Sequence, residues 1–498
     1  MRGRSGQHKR YVHLISLGCD KNLVDSEKVL QLMLDDGYQF TDDPALADVI
    51  IVNTCCFIHD AKEESVSTLI RMADLKSERA GKSPLLIVMG CMAERYKAEI
   101  QETLPEIDIL MGANSWQDIL EVLHGYENAR LQNDSTDPVS DVPLTKEMGD
   151  GVLHMQSFRG ISENVFLDRP VLKRFVTAGG HSAYLKIAEG CGKRCTYCII
   201  PYLKGNYRSV PMEDLVKEAS MLAESGVKEL ILIAQETTLY GTDLYGRKCL
   251  PELLEALNAI EGLRWIRLMY CYPEEITDEL IECIRRLPKV CHYLDIPIQH
   301  ASDHILKRMA RRTTHDEITD RIRHLRELIP DIVIRTTLIS GFPGETDADH
   351  KKLAEFVRQM EFDRLGVFEY SREEGTKAAA FSHQVSAKTK ALRRNEIMEL
   401  QQEIAWKKAQ EKIGRELDIL IEGRITEDAD TAELPEQTLT DEGYVYVGRS
   451  YMDAPDIDGF VYIPAGRREL MTGDMVRVRV TGAHEYDLMG EIIPSVLS

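Results

Sequence analysis

The run GCGKRCTYCIIP, residues 190–201, constrains this chain more than any other feature, because Cys191, Cys195 and Cys198 deliver three thiols from one short loop. A cubane of four irons takes four ligands, usually thiolates, so a three-cysteine loop holds such a cluster with one iron left open. The loop follows an apolar stretch, Ala183 to Ala188 (AYLKIA), that reads as a strand. It precedes a helix starting near Pro211, whose apolar face is Met212, Leu215, Val216, Ala219, Leu222 and Ala223. The motif therefore sits on the loop leaving the first strand of a βα unit. A zinc site and plain buried cysteines are the competing readings. Zinc sites usually pair two CxxC-like units, and no such partner lies nearby in the sequence.

A chain of 498 residues has room for about three domains. No apolar run approaches the ~18 residues of a membrane span. The N-terminal MRGRSGQHKR is basic but has no apolar stretch behind it, so it does not read as a secretory signal. Eleven cysteines in so long a chain do not make a disulfide scaffold. They point to a reducing, cytoplasmic setting, where clustered cysteines bind metal or catalyse. The formal net charge of −21 opposes a polyanionic partner and favours a basic one.

Residues 11–125 alternate strand and helix: YVHLIS, DVIIV, LLIVM and IDILM are short buried strands, with helices from Asn22, Asp60, Glu94 and Ser115. This pattern predicts an open parallel α/β sheet. Residues 126–180 break into a polar, proline-bearing linker (NDSTDPVSDVP) and a segment with no assignable pattern. Over 181–411 the alternation resumes, with strands at Ala183–Ala188, Glu229–Ala234, Trp265–Met269, Tyr293–Ile298, Ile332–Ile339 and Leu365–Tyr370 and a charged helix from Ser386 to Glu411. Six βα units predict a partial TIM-type (β/α)6 barrel with its site at the strand C-terminal ends. Residues 412–498 switch to period 2 (LDILIEG, YVYVGRS, GFVYIP, DMVRVRVTGA), the pattern of a small antiparallel β-barrel.

A second cysteine set stands in the first domain. Cys19 follows the first predicted strand, Cys55 the second and Cys91 the third. The crevice outside the carboxyl ends of an open parallel sheet is its binding edge, so three thiols in the same register converge there. Cys56, next to Cys55, points the opposite way on an extended segment and is expected not to ligate. Cys249, Cys271, Cys283 and Cys291 read as packing residues.

The CxxxCxxC loop after a first βα strand resembles the radical S-adenosylmethionine superfamily. The two cysteine sets in this order, ahead of a TRAM-like barrel, are similar to the methylthiotransferases of that superfamily. Within them the chain resembles the ribosomal-protein (RimO-type) branch in SLGCDKNLVDSE from Ser16, VNTC from Val52, IAQETTLYG from Ile233, FEYSREEGT from Phe368, YVGRSYMDAPDIDG from Tyr446 and EYDLMGE from Glu485. It departs at Cys56, where a small residue is more usual, and over Gly149–Phe175. The transfer-RNA (MiaB-type) branch shares the cysteines but differs in those stretches, and a non-catalytic iron–sulfur adaptor is the alternative from another class.

The resemblance implies two 4Fe-4S clusters, on Cys19, Cys55 and Cys91 and on Cys191, Cys195 and Cys198, together with S-adenosyl-L-methionine. It implies radical hydrogen abstraction and methylthio transfer to the β-carbon of an aspartate in small-subunit ribosomal protein twelve, with electrons from a donor such as flavodoxin or ferredoxin. Transfer RNA is not the expected partner. By their places at strand ends, Gln235, Glu236, Gln299, His300, Arg335, Gly341 and Glu345 are candidates to contact S-adenosylmethionine. Residues 412–498 carry 18 acidic against 8 basic side chains, a net of −10. Asp453, Asp456 and Asp458, read as exposed loop carboxylates, are the expected contacts for the basic protein substrate. No catalytic residue beyond the cluster ligands is assigned.

Overall fold

The computed structural model describes residues 9–79, 83–133, 174–177, 179–425 and 444–493. Its packing divides the chain into two bodies, the first containing the N-terminal region together with Gly190–Gly192 and Ile199–Asn206.

The first body is built on a five-stranded parallel sheet of order β2-β1-β3-β4-β5. Its strands are β1 (Arg10–Ser16), β2 (Tyr38–Phe40), β3 (Val49–Thr54), β4 (Leu85–Gly90) and β5 (Ile109–Leu110). The helices are α1 (Asp20–Asp35), α2 (His59–Glu78), α3 (Cys91–Arg95), α4 (Lys97–Thr103), α5 (Ile119–Asn133) and the short α6 (Ile200–Leu203). β3 and β4 are buried at every residue, as expected of parallel strands covered on both faces. Alternate residues feed opposite layers: Ile50, Val52, Leu86 and Val88 join one core, Val49, Ile51, Ile87 and Met89 the other. The edge strand β2 was not anticipated, since three residues are too few to show a period. α5 runs on past residue 125, so the region expected to be linker begins as helix, and its remaining pattern falls mostly outside the described residues.

The second body carries a six-stranded sheet of order β13-β12-β11-β10-β9-β6, parallel throughout. The strands are β6 (Ser182–Lys186), β9 (Glu229–Ile233), β10 (Trp265–Leu268), β11 (Val290–Asp295), β12 (Val333–Ser340) and β13 (Arg364–Glu369). A two-stranded ribbon pairs β7 (Ala188–Glu189) with β8 (Arg208–Ser209). The helices are α7 (Met212–Glu224), α8 (Leu250–Asn258), α9 (Asp278–Arg286), α10 (Asp303–Arg308), α11 (His315–Leu328), α12 (Asp347–Met360) and α13 (Ala387–Gln410). Capping boxes, Thr314 with Glu317 and Thr346 with Asp349, start α11 and α12.

A closed five-stranded barrel follows: β14 (Glu416–Arg424), β15 (Val445–Arg449), β16 (Val461–Pro464), β17 (Met475–His484) and β18 (Asp487–Ile492). All its pairings are antiparallel except β16 with β18, whose parallel pairing completes the ring.

This barrel is joined to the six-stranded sheet by buried charge. Arg449, fully buried, donates to Glu422 Oε1 at 2.7 Å, Glu229 Oε2 at 2.7 Å and Ser182 Oγ at 3.2 Å. Arg267, also fully buried, donates to Glu229 Oε1 at 2.8 Å and to the Tyr451 carbonyl at 2.6 Å. Asp453 pairs with Arg364, and Asp458 accepts from Tyr293 Oη at 2.7 Å with Arg335 at 3.5 Å. Ser182, Glu229 and Arg364 each open their strands, so the β15 end and the loop behind it cover the N-terminal edge of the sheet. Burial alone would raise the Glu229 carboxyl, but Arg449 and Arg267 hold it down to about 2.

Two sequence expectations are corrected here. Asp453 and Asp458 have side chains only 2% exposed and serve this contact, so they are not open to a protein substrate; of the three, only Asp456 is exposed. Arg335 is bound to Asp295 at 2.9 Å and lies near the start of β12, five residues before its end. That places it roughly 17 Å along the strand from the edge where a cofactor is expected.

Candidate metal and cofactor site

In the first body, Cys19 caps the start of α1, Cys55 follows β3 and Cys91 opens α3 after β4. The loops are cross-braced. Asn22 Nδ2 donates to the carbonyls of Leu17 and Thr54 at 3.0 and 3.2 Å, and Asn53 Nδ2 donates to the carbonyl of Asn22 at 3.0 Å. Ser65 Oγ accepts from Cys55 N at 3.1 Å and donates to its carbonyl at 2.9 Å. Gly18 has φ +88°, and a Cβ there would meet Cys55 Sγ at 2.6 Å, so glycine is needed for the Cys55 thiol to occupy its place.

These thiols act on one another. Burial pushes the Cys55 thiol up to about 11, and the charges of Cys19 and Cys56 add to the rise. Burial also raises the Cys91 thiol well above its ordinary value, opposed by the Lys204 ammonium and reinforced by Cys19, Cys56 and Cys55. Among the described residues no three such side chains stand in a ready metal-holding arrangement. The fit to a cluster rests on donor chemistry: three thiols on neighbouring loop ends, whose protons metal binding would displace. Cys56 is fully buried among Val52, Leu69 and Met92, an apolar setting.

On the CxxxCxxC loop, Cys191 and Cys195 are buried and Cys198 partly so. Gly190, at φ +79°, lies where a Cβ would strike the carbonyl oxygen of Asn206 at 2.1 Å, which fixes the turn into Cys191. In the second body several buried polar atoms have no hydrogen-bond partner. They include Gln235 Oε1, Glu236 Oε2, His300 Nε2 and two nitrogens of Arg311. Gln235 Nε2 donates to Glu189 Oε1 at 2.9 Å. Burial lifts the Glu236 carboxyl to about 8, against Thr238, which donates to it, and Lys193 at 3.8 Å. Arg311 stacks 4.1 Å from the Tyr272 ring centroid and feels the charges of Tyr197 and Cys195. Buried polar atoms left unpaired are costly, so this arrangement suits a ligand that brings both charges, as an amino acid moiety does.

Not every candidate belongs to that arrangement. Glu345 accepts from the N–H groups of Gly341 at 2.7 Å and Phe342 at 3.2 Å and from Arg393 at 2.9 Å, so its carboxylate closes its own turn. His300 Nε2 stands 3.7 Å from it, beyond hydrogen-bond reach, while Nδ1 accepts from Ser302 N at 2.9 Å. Gly341 has φ +73° and makes room for Lys390, whose Cγ a Cβ would meet at 2.3 Å. Gln299, at φ +70°, continues the β11–β12 pairing through Leu338. Arg311 and Lys193 escaped the sequence reading. Arg311 comes from a loop between helices, where no strand end marks it. Cys249, Cys271, Cys283 and Cys291 are buried with raised thiols, as packing residues are.

Three family descriptions match in succession: Uncharacterized protein family UPF0004 over residues 11–112, the Radical SAM superfamily over 185–357 and a TRAM domain over 413–493. In fold, a radical S-adenosylmethionine methyltransferase, TsrM from Kitasatospora setae, aligns over 74% of each chain with TM-score 0.53 at 13% identity. The ribosomal protein uS12 methylthiotransferase RimO of Lachnoclostridium phytofermentans is 51% identical over 96% of this chain and 99% of its own. Its namesakes in Acetivibrio thermocellus and Geobacter sulfurreducens are 46% and 44% identical, each over 97% of this chain and 99% of their own. With both cysteine sets inside a likeness of that extent, the chain belongs to the RimO family of radical S-adenosylmethionine methylthiotransferases.

Proposed function

We propose that this enzyme adds a methylthio group to the β-carbon of one aspartate of ribosomal protein uS12, using two three-cysteine iron–sulfur centres, S-adenosylmethionine and an external one-electron donor of the flavodoxin or ferredoxin kind. The observation that carries the reading is the buried Arg311 guanidinium, with two nitrogens lacking a hydrogen-bond partner and within reach of the Cys195 charge, in a chain whose full-length relatives bear that name. When bound, the centres and S-adenosylmethionine supply one-electron chemistry able to break a carbon–hydrogen bond that no side chain is basic enough to open, and the sulfur that replaces it. The chain's own part is placement. Cys191, Cys195 and Cys198 would hold one centre, and Cys19, Cys55 and Cys91 the other. Glu236 and Gln235 would accept from an ammonium, and Arg311 would pair with a carboxylate. Cytoplasmic location fits the reduced cysteines; among the described residues no helix is long and apolar enough to cross a membrane.

The test is incubation of reconstituted, reduced enzyme with S-adenosylmethionine and either uS12 or transfer RNA. Mass spectrometry should find one methylthio group in place of hydrogen on a uS12 aspartate. Modification of an adenosine in transfer RNA instead would overturn the substrate assignment in favour of the MiaB type.

Cys55, facing Gly18, is proposed as the ligand rather than Cys56. Cys56→Ala should keep the iron of the N-terminal centre and methylthiolation, and Cys55→Ala should lose methylthiolation. The reverse pattern in iron content and product would show the turn after β3 to be read one residue out.

A further inference from the structure

Lys204 follows the three-cysteine loop by six residues, yet it packs in the first body and is 2% exposed. Its Nζ donates to the carbonyl of Ala113 at 3.0 Å and lies 3.7 Å from Asp25 Oδ2. Ala113 N in turn donates to Glu94 Oε2 at 3.3 Å. Lys204 caps the C-terminal end of α6, and Leu203 on that helix and Ile199 at its N-terminal end lie in the same apolar cluster as Cys56 and Cys91. An ammonium taken out of water into such surroundings is unfavourable unless negative charge compensates it. Among the charges acting on the Cys91 thiol, the Lys204 ammonium is the largest. Cluster assembly on Cys19, Cys55 and Cys91 would bring three thiolate charges to this place, with an anionic sulfur on the open iron adding to them.

We propose that Lys204 is a positioning residue for the centre on Cys19, Cys55 and Cys91, its buried ammonium being the fixed counter-charge that stabilises the anionic cluster and raises its reduction potential. The inference rests on the two-centre reading above. Reduction adds an electron, so a nearby cation in a low-dielectric pocket favours the reduced form, and its removal favours the oxidised one. A lysine that served only to clamp the loop to Ala113 would be replaced without electrochemical effect by any side chain that still donates there.

The test uses the full chain with Cys191, Cys195 and Cys198 replaced by alanine, so that only the N-terminal centre remains, and titrates its reduction by electron paramagnetic resonance. Lys204→Gln keeps an N–H donor and removes the charge; Lys204→Arg keeps the charge. At a fixed potential the ratio of reduced to oxidised cluster should fall about tenfold in Lys204→Gln, a shift of about 59 mV for one electron, and stay near the parent in Lys204→Arg. A glutamine variant that titrates with the parent, or an arginine variant shifted as far as the glutamine one, would overturn the inference alone. A parent that binds no iron would overturn the two-centre reading, and the inference with it.

Discussion

Replacing Cys191, Cys195 and Cys198 together by alanine is expected to halve the iron of the reconstituted enzyme, from about eight per chain to about four, and to abolish cleavage of S-adenosylmethionine. The matching replacement of Cys19, Cys55 and Cys91 should also leave about four irons but retain uncoupled cleavage without sulfur insertion. The asymmetry follows from placement. Arg311, with two buried nitrogens lacking a hydrogen-bond partner, feels the charge of Cys195, and Lys193 on the same loop faces Glu236, so on the proposed reading cofactor binding and the electron that cleaves it belong to that loop. Cys55 and Cys91 instead lie with Cys19 at strand ends of another sheet, where the charge environment is set by one another and by Lys204. Iron analysis and detection of 5′-deoxyadenosine check both halves. Equal loss of cleavage in the two triple variants, or zinc in place of iron, would refute the division of labour.

How far the sequence could be read depended on how local each signal was. The strand-end places of Cys19, Cys55 and Cys91 were legible because each follows an apolar run that reads as a covered parallel strand. The loop that carries Cys191, Cys195 and Cys198 was legible as the stretch between a strand and a helix, where the structure has it. The parallel β16–β18 closure of the small barrel was not, since period 2 gives the alternation of faces but not which strand lies beside which. Arg335 illustrates a different failure: it was placed on the right strand, but at the wrong end of it. Arg311 was missed because its role depends on stacking against Tyr272, 39 positions earlier in the chain. Asp453 and Asp458 misled most. A loop with three aspartates and a proline reads as solvated, and only the arrival of Arg364, Arg335 and Tyr293 from distant strands makes it an interior segment.

That interior placement changes what substitution there does. Asp453→Asn or Arg449→Met is expected to destabilise the second body by about 3–5 kcal/mol, because each strands a buried partner charge. Asp456→Asn, on an exposed residue of the same loop, should stay within about 0.5 kcal/mol of the parent. Urea unfolding of the full chain, followed by a probe in the six-stranded sheet, distinguishes them. Acid should act on the same contact. The Glu229 carboxyl is held to about 2 against an ordinary 4.5, so its stabilisation is complete above pH 4.5 and is lost as pH falls towards 2. Removing Arg449 should therefore flatten the acid limb of the stability profile as well as lower it. The net charge of −10 over residues 412–498 acquires a narrower meaning too. Seven of its 18 acidic residues lie in 427–442, outside the described residues, and Asp453 and Asp458 are spent on arginines. A salt-sensitive attraction for a basic protein must then come from the exposed acids, Asp456 among them, or from 427–442, since buried pairs are scarcely screened. Neutral Asp453 and Asp458 variants that unfold with the parent but bind uS12 more slowly would return those two carboxylates to the substrate surface.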